Sequence, residues 1–435
     1  MAAQEEQQPP LHILFFPFLA PGHLIPIADM AALFAARGVR CTILTTPVNA
    51  AIIRSAVDRA NDAFAGPAID ISVVPFPDVG LPPGVENGMA LTSQGDRDKF
   101  AQAVQLLREP FEHFLAHNHP DAVVTGSYFH CETMLRNNPL ATAPDDPDAL
   151  VSLPGLPHRV ELRRSQMMDP VKQADHWAFF QSVNAADQRS FGEVFNSFHE
   201  LEPDYVEHYH TTLGRRAWLV GPVALASQDI ARRGTDALSP DSDNCLGWLN
   251  TKPAGSVVYV SFGTLIRPDP SEWMPEGFAE LMARGDRGFI IRGWAPQLLI
   301  LNHPAVGGFV THCGWNSTLE AVSAGVPMVT WPRYADQFSN EKLIVEVLKV
   351  GVSIGAKEYA SSVETHEVIG GEVIAESIGR LMSNNEEGSA IRKKAKDLGV
   401  KARTAVESGG SSYNDVGQLM DELTARRSSM KVGEM

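Results

Sequence analysis

Cysteine is scarce in this chain, four among 435 residues, and Cys41, Cys131, Cys245 and Cys313 are scattered with no CxxC spacing. That pattern excludes a disulfide scaffold or a cysteine-based zinc site and fits a reducing compartment. Basic charge is also short. With 36 Lys and Arg against 52 Asp and Glu, the net charge of −16 argues against a nucleic-acid or anionic-membrane binder. No apolar run approaches the roughly 18 residues of a membrane span, and the opening MAAQEEQQPP has neither the basic nor the apolar region of a secretory signal. The expected setting is therefore the cytoplasm, with small molecules as partners. A Walker A sequence, a GxSxG elbow, the glycine fingerprint of a dinucleotide site and any repeat of solenoid period are lacking too, which disfavours NAD. His113, His117 and His119 have a metal-like spacing, but they close a helix before Pro120 and are read as its surface, so no metal is expected.

What is present is an ordinary globular composition, 44% hydrophobic and 20% charged, at a length that suits two domains. Strand-like runs at 11–18, 39–46, 69–76 and 121–125 alternate with the helical segments LIPIADMAALFAARG and DKFAQAVQLLREPFEHFLAH, which predicts a parallel sheet. AWLVGPV at 217–223 reads as a last strand, after which the chain turns polar and small. A second alternation runs from SVVYVSFG at 256–263 through GFIIRGW and GGFVTHCGW to VPMVTWP. The expectation is an α/β protein with a first domain over 1–222, a linker over 223–243 and a second domain over 244–435. The end is expected to be helical from about Asn384 to Gln418, broken at 409–412 and frayed over its last dozen residues, with the C-terminal helix returning to the first domain.

The most informative stretch is the 44 residues WAPQLLILNHPAVGGFVTHCGWNSTLEAVSAGVPMVTWPRYADQ, from Trp294 to Gln337. Buried strands want Val, Ile and Leu, so the polar and aromatic residues gathered here need a ligand or many partners. GGFVTHCG runs into NSTLEAVSAG, so the backbone amides at 314–317 open a helix and suit an anion, with donors from His312, Asn316 and Ser317. Trp294 offers a flat face for a base, and Glu320 an acceptor for ribose hydroxyls. A plainer alternative stays open: Ser317-Thr-Leu-Glu320 is also a capping-box pattern, found at many helices that bind nothing.

This segment resembles, nearly position for position, the signature box of plant secondary-product UDP-glycosyltransferases, and the similarity extends over most of the chain. The resemblance implies a GT-B fold, two Rossmann-like domains with the UDP-sugar donor held by the C-terminal one and the acceptor by the N-terminal one. It implies that Trp294 stacks on uracil, Ala295 contacts it through the backbone, and Gln297 and Glu320 hold the ribose. His312, Asn316, Ser317 and Thr264 would meet the diphosphate, and Trp315, Asp336 and Gln337 the sugar; a closing glutamine goes with glucose. FPFLAPGHLIPIADMAALFAARG matches the family as well, so His23 corresponds to its catalytic base. The implied protein is a monomeric, inverting O-glucosyltransferase with UDP-glucose as co-substrate, no separate cofactor, and a phenolic, flavonoid, terpenoid or steroid acceptor.

Two departures from the family pattern stand out. Where the family follows the strand at 121–124 with an aspartate that orients the catalytic histidine, this chain has Thr125-Gly126. An αβ unit is missing after that junction and another after SFGT at 261–264, each of about 30 residues. Such losses remove sheet strands and their covering helices and expose apolar surface. They leave two alternatives: a UDP-sugar-binding pseudoenzyme, or a damaged gene product.

Overall fold

The computed structural model describes residues 9–63, 68–91, 93–125, 138–226, 240–263, 276–360 and 367–433. The backbone packs as two compact units, one of 1–126, 223–236 and 413–435, the other of 127–222 and 237–412. This grouping differs from the sequence-derived boundaries in placing 127–222 with the second sheet. Phe198 and Leu201 of that stretch share a core with Leu301 and Phe309.

In the first unit, β1 (His12–Phe16), α1 (Pro21–Ala35), β2 (Arg40–Thr45), α2 (Pro47–Ala63), β3 (Ile69–Val73), α3 (Gln94–Leu106), α4 (Arg108–Asn118) and β4 (Ala122–Thr125) follow in order. The strands form one parallel sheet in the order β3-β2-β1-β4. Helix α1 is apolar nearly all round, as befits a helix covered on most sides, and Leu24, Ala31 and Phe34 are fully buried. The single helix expected over 98–117 is two, α3 and α4. Pro110 in the first turn of α4 has no N–H for the ladder and its ring crowds the carbonyl four residues back, so a continuous helix breaks near Leu107. The C-terminal helix Ser411–Gly433 belongs mostly to this unit: Arg37 Nη1 donates to the Tyr413 carbonyl at 2.7 Å with its guanidinium 3.8 Å over the ring. It runs to Gly433 without the expected fraying, because Arg427 near its end reaches Asp121 at 3.3 Å.

The second unit holds an antiparallel pair, β5 (Leu150–Ser152) and β6 (Glu161–Arg163), and a parallel pair, β7 (Glu193–Phe195) and β8 (Ala217–Leu219). AWLVGPV is thus a strand, but it pairs with 193–195 rather than ending the first sheet. The main sheet is parallel, in the order β12-β11-β10-β9: β9 (Val257–Ser261), β10 (Val306–Thr311), β11 (Met328–Thr330) and β12 (Gly351–Ser353). Its helices include α5 (Gln297–Leu301), α6 (Trp315–Ala324), α7 (Gln337–Lys342), α8 (Gly371–Met382) and α9 (Glu386–Val406). GFIIRGW is not a strand; Arg292 N–H bonds the Asp241 carboxylate at 3.2 Å, and Phe289 lies against Trp248, so side-chain partners replace a ladder.

The linker candidate lies largely outside the described residues, as do Gly126 and the second junction. Among the described residues, the strands that precede the two junctions, β4 and β9, are the sheet edges on their sides. Val123 is 39% exposed and Val260 51%. Apolar side chains on an edge strand are what removal of a neighbouring αβ unit leaves behind.

Candidate donor site at the β10–α6 turn

Strand β10 ends at Thr311, and after three intervening residues α6 begins at Trp315. Between them Cys313 takes a left-handed backbone conformation, φ 64°, which costs an L-residue on the order of 1 kcal/mol. The surroundings hold it: Cys313 N–H donates to Thr311 Oγ1 at 3.2 Å, and its carbonyl accepts from Asn340 Nδ2 at 2.8 Å. The turn delivers Gly314 as the N-cap of α6, with no side-chain cap. This overturns the capping-box alternative. Ser317 and Glu320 lie inside the helix, and Ser317 Oγ accepts from Gln297 Nε2 at 3.0 Å instead. The first intrahelical bond is Thr318 N–H to the Gly314 carbonyl, 2.9 Å, so the amides of 315–317 stand ahead of the ladder. They carry the positive end of the helix dipole.

The same Gln297 Nε2 also donates to Glu320 Oε2 at 2.7 Å, and the Tyr259 hydroxyl reaches Gln297 Oε1 at 3.4 Å. Two side chains expected on a ribose are therefore already joined to each other. Trp294 and Ala295, both half-buried, precede Gln297 on the approach to α5. Trp315 opens α6, but its indole N–H is engaged by the Asn196 carbonyl at 2.8 Å, leaving its backbone amide as its donor at the turn. Asn316 follows it, half-buried.

His312 is held by two glycines. A Cβ on Gly263 would lie 2.6 Å from His312 Nε2, and one on Gly314 2.4 Å from it, so only bare backbone lets the ring edge in. Burial pushes its pKa down to about 4, against smaller upward pulls from Asp336 and the Ser261 backbone. Its Nδ1 is buried without a partner, which disfavours a second proton there. The ring is thus neutral at pH 7 and supplies a dipole, while the helix amides supply positive potential.

Across the turn, Asp336 occupies the N-cap position of α7 without a side-chain cap bond. Ala335 before it is also left-handed, φ 55°. Gln337 Oε1 accepts from the Arg333 and Tyr334 amides, at 2.9 and 3.2 Å, so this buried glutamine folds the loop that presents Asp336. Thr264 lies outside the described residues. His23 belongs to the first unit, in the opening turn of α1, its ring edge-on to Phe18 at 5.4 Å. Asp121, His130 and Glu132 lie close in sequence to Gly126, where the aspartate is absent, and His130 and Glu132 are outside the described residues. Asp121 is committed elsewhere, to the His12 amide at 2.8 Å and to Arg427. The sequence did not single out Asn340, Cys313, Gly263 or Tyr259. Positive φ has no side-chain signature, and only the four-residue spacing of Asn340 from Asp336 hinted at its part.

Beneath the site, Glu341 is buried, with Thr330 Oγ1 2.5 Å from Oε2. Burial raises its pKa from 4.5 to about 7, partly offset by hydrogen bonds from Thr330 and Ser353. Because the folded form holds the proton more tightly, its stabilising contribution is complete below pH 4.5 and is lost as pH rises through 7. Glu341→Gln should match wild type in denaturant melts at pH 4.5 and exceed it at pH 8 by on the order of 3 kcal/mol. Equal stabilities at pH 8 would contradict a protonated Glu341.

No group of three or more His, Cys, Asp and Glu among the described residues is placed to hold a metal ion, and no described helix is long and apolar enough to cross a membrane.

Comparison with known proteins shows the family and the fold. The family model described as UDP-glucoronosyl and UDP-glucosyl transferase matches residues 173–384. The scopoletin glucosyltransferase of Nicotiana tabacum is 39% identical, over 96% of this chain and 99% of its own. The anthocyanin 3'-O-beta-glucosyltransferase of Gentiana triflora is 37% identical, over 95% and 98%. Among solved structures, UGT73P12 of Glycyrrhiza uralensis, determined with glycyrrhetinic acid 3-O-monoglucuronide, superposes with a TM-score of 0.88 at 34% identity, covering 98% of each chain. The alignment to the tobacco enzyme runs to 480 positions, whereas this chain has 435 residues, so at least 45 of those positions have no residue here. That is the scale of the missing αβ units. With GT-B proteins as its structural neighbours and full-length plant glucosyltransferases as its relatives, the chain belongs to the plant UDP-glycosyltransferase family.

Proposed function

We propose that this protein is a UDP-glucose-dependent, inverting O-glucosyltransferase acting on a hydroxyl of a small apolar acceptor, a phenolic, flavonoid, terpenoid or steroid. The observation that carries the donor half is the uncapped N-terminus of α6 beside the preformed Gln297–Glu320 pair. In this scheme the amides of Trp315, Asn316 and Ser317, with His312 and Thr264, receive the diphosphate. Gln297 and Glu320 take the ribose, Trp294 and Ala295 the uracil, and Asp336, Gln337 and Trp315 the sugar. His23 takes the acceptor's proton as its oxygen attacks the anomeric carbon and UDP departs, inverting α-glucose to a β-glucoside. The helix amides stabilise the charge that grows on UDP. We place the enzyme in the cytoplasm as a monomer and propose that the transfer uses no metal.

A second reading, a UDP-sugar-binding protein without turnover, is favoured by Gly126 in place of the orienting aspartate and by the absent positions. One experiment separates the two. Purified protein is melted with and without UDP, then incubated with UDP-glucose and a panel of phenolic, flavonoid and terpenoid acceptors. Saturation at about 100 times Kd should stabilise the fold by about 2.7 kcal/mol, and β-glucoside should accumulate. Stabilisation without product on any acceptor would support the second reading; no stabilisation would overturn the donor site itself.

A further inference from the structure

We infer that Asn340 is a positioning residue that ties the diphosphate-binding turn to the sugar-binding carboxylate, an inference that rests on the donor-site reading above. Its side chain is 7% exposed, and Nδ2 donates at 2.8 Å to the Cys313 carbonyl and at 2.8 Å to Asp336 Oδ2. Both partners are acceptors only, so the group facing them is the NH2, and both of its protons are used. One bond anchors the left-handed residue that aims the α6 amides. The other fixes one oxygen of Asp336 and leaves Oδ1 to accept from a sugar hydroxyl.

The arrangement has a chemical logic. Asp336 sits one helical turn before Asn340, as the N-cap of α7, with Ala335 before it in the left-handed region. A carboxylate on such a loop has many rotamers open to it, and a hydrogen bond to a buried amide selects one. Because the same amide grips Cys313, the distance between the helix terminus and the sugar carboxylate is set by one planar group. An ordinary satisfied core asparagine would contribute stability alone. A positioning residue also changes how well the site tells UDP-glucose from UDP.

The test is a double-mutant cycle read by calorimetric titration with UDP and with UDP-glucose, on wild type, Asn340→Ala, Asp336→Ala and the double variant. The quantity followed is the ratio Kd(UDP)/Kd(UDP-glucose), which a loss of stability alone leaves unmoved. Asn340→Ala should lower that ratio about 10-fold, as expected for one misplaced charge-assisted hydrogen bond. Asp336→Ala should lower it at least as much, and the double variant no further than Asp336→Ala. If Asn340→Ala fails to fold, Asn340→Asp keeps the shape without the two-proton donor and should give the same fall. An unchanged ratio in a folded Asn340 variant, or multiplicative effects in the double variant, would overturn the inference. Wild type that binds neither nucleotide would instead overturn the donor site on which it rests.

Discussion

His23→Ala should bind UDP within about twofold of wild type yet turn over UDP-glucose at least ~100-fold more slowly, the usual worth of a general base. The residue lies in the first turn of α1, just past the end of β1, with its backbone N–H on the Ala20 carbonyl at 2.9 Å and its ring against Phe18. The imidazole is half-buried against Phe18, and the proposed scheme assigns the acceptor's proton to no other side chain. The side chains proposed to hold the nucleotide are in the other unit, so UDP titration and turnover report on separate groups. Rates are to be measured at saturating acceptor by product formation. Loss of UDP affinity in parallel with turnover would mean that His23 acts through the fold. Equal turnover in the variant would exclude it as base. Measurable wild-type turnover would itself show that the aspartate replaced by Gly126 is dispensable, since Asp121, tied to His12 and Arg427, offers no substitute.

Gly314→Ala should weaken UDP binding about 100-fold, a loss of two or so well-placed hydrogen bonds. The backbone at Gly314, φ −60° and ψ 141°, admits alanine without strain, so the effect is not one of conformation. It comes from space: the new Cβ would stand 2.4 Å from His312 Nε2, and Gly263 blocks the ring's retreat on another side. The imidazole must leave its seat or push the first turn of α6 outward, and either displaces the donors proposed for the diphosphate. Calorimetry with UDP measures it, beside a melting curve that should move only modestly. Affinity within about threefold of wild type would mean that the ring relocates freely and that the two glycines serve the chain turn alone.

Much of the fold was legible beforehand because its strands are short apolar runs bounded by turns. The runs at 11–18, 39–46, 69–76, 121–125 and 256–263 each hold a strand of the two parallel sheets. Errors fell where pattern and context part. GFIIRGW has strand composition but pairs with no strand among the described residues, and the run 98–117 has one helical periodicity but a proline within it. The donor-site candidates come from composition and family likeness, and among them Gln297 meets Ser317 and Glu320 on α6 while Asp336 is tied to the β10–α6 turn through Asn340. Their supports were missed, because Asn340, Tyr259 and Gly263 are ordinary residues until a partner is brought to them.

By itself the sequence determined the alternation of strand and helix, the acidic small-molecule character of the chain, and the box from Trp294 to Gln337 with its glycine turn. These are local properties, carried by periodicity and residue type within a few turns of chain. Only the tertiary structure decided that Ser317 and Glu320 lie inside α6 rather than capping it, that Gln297 joins both, and that His312 is neutral. It likewise decided that β4 and β9 are the exposed edges of their sheets among the described residues. Each of these depends on residues tens of positions apart meeting at hydrogen-bond distance or shielding one another from water, and neither contact nor burial is written in any single stretch of chain.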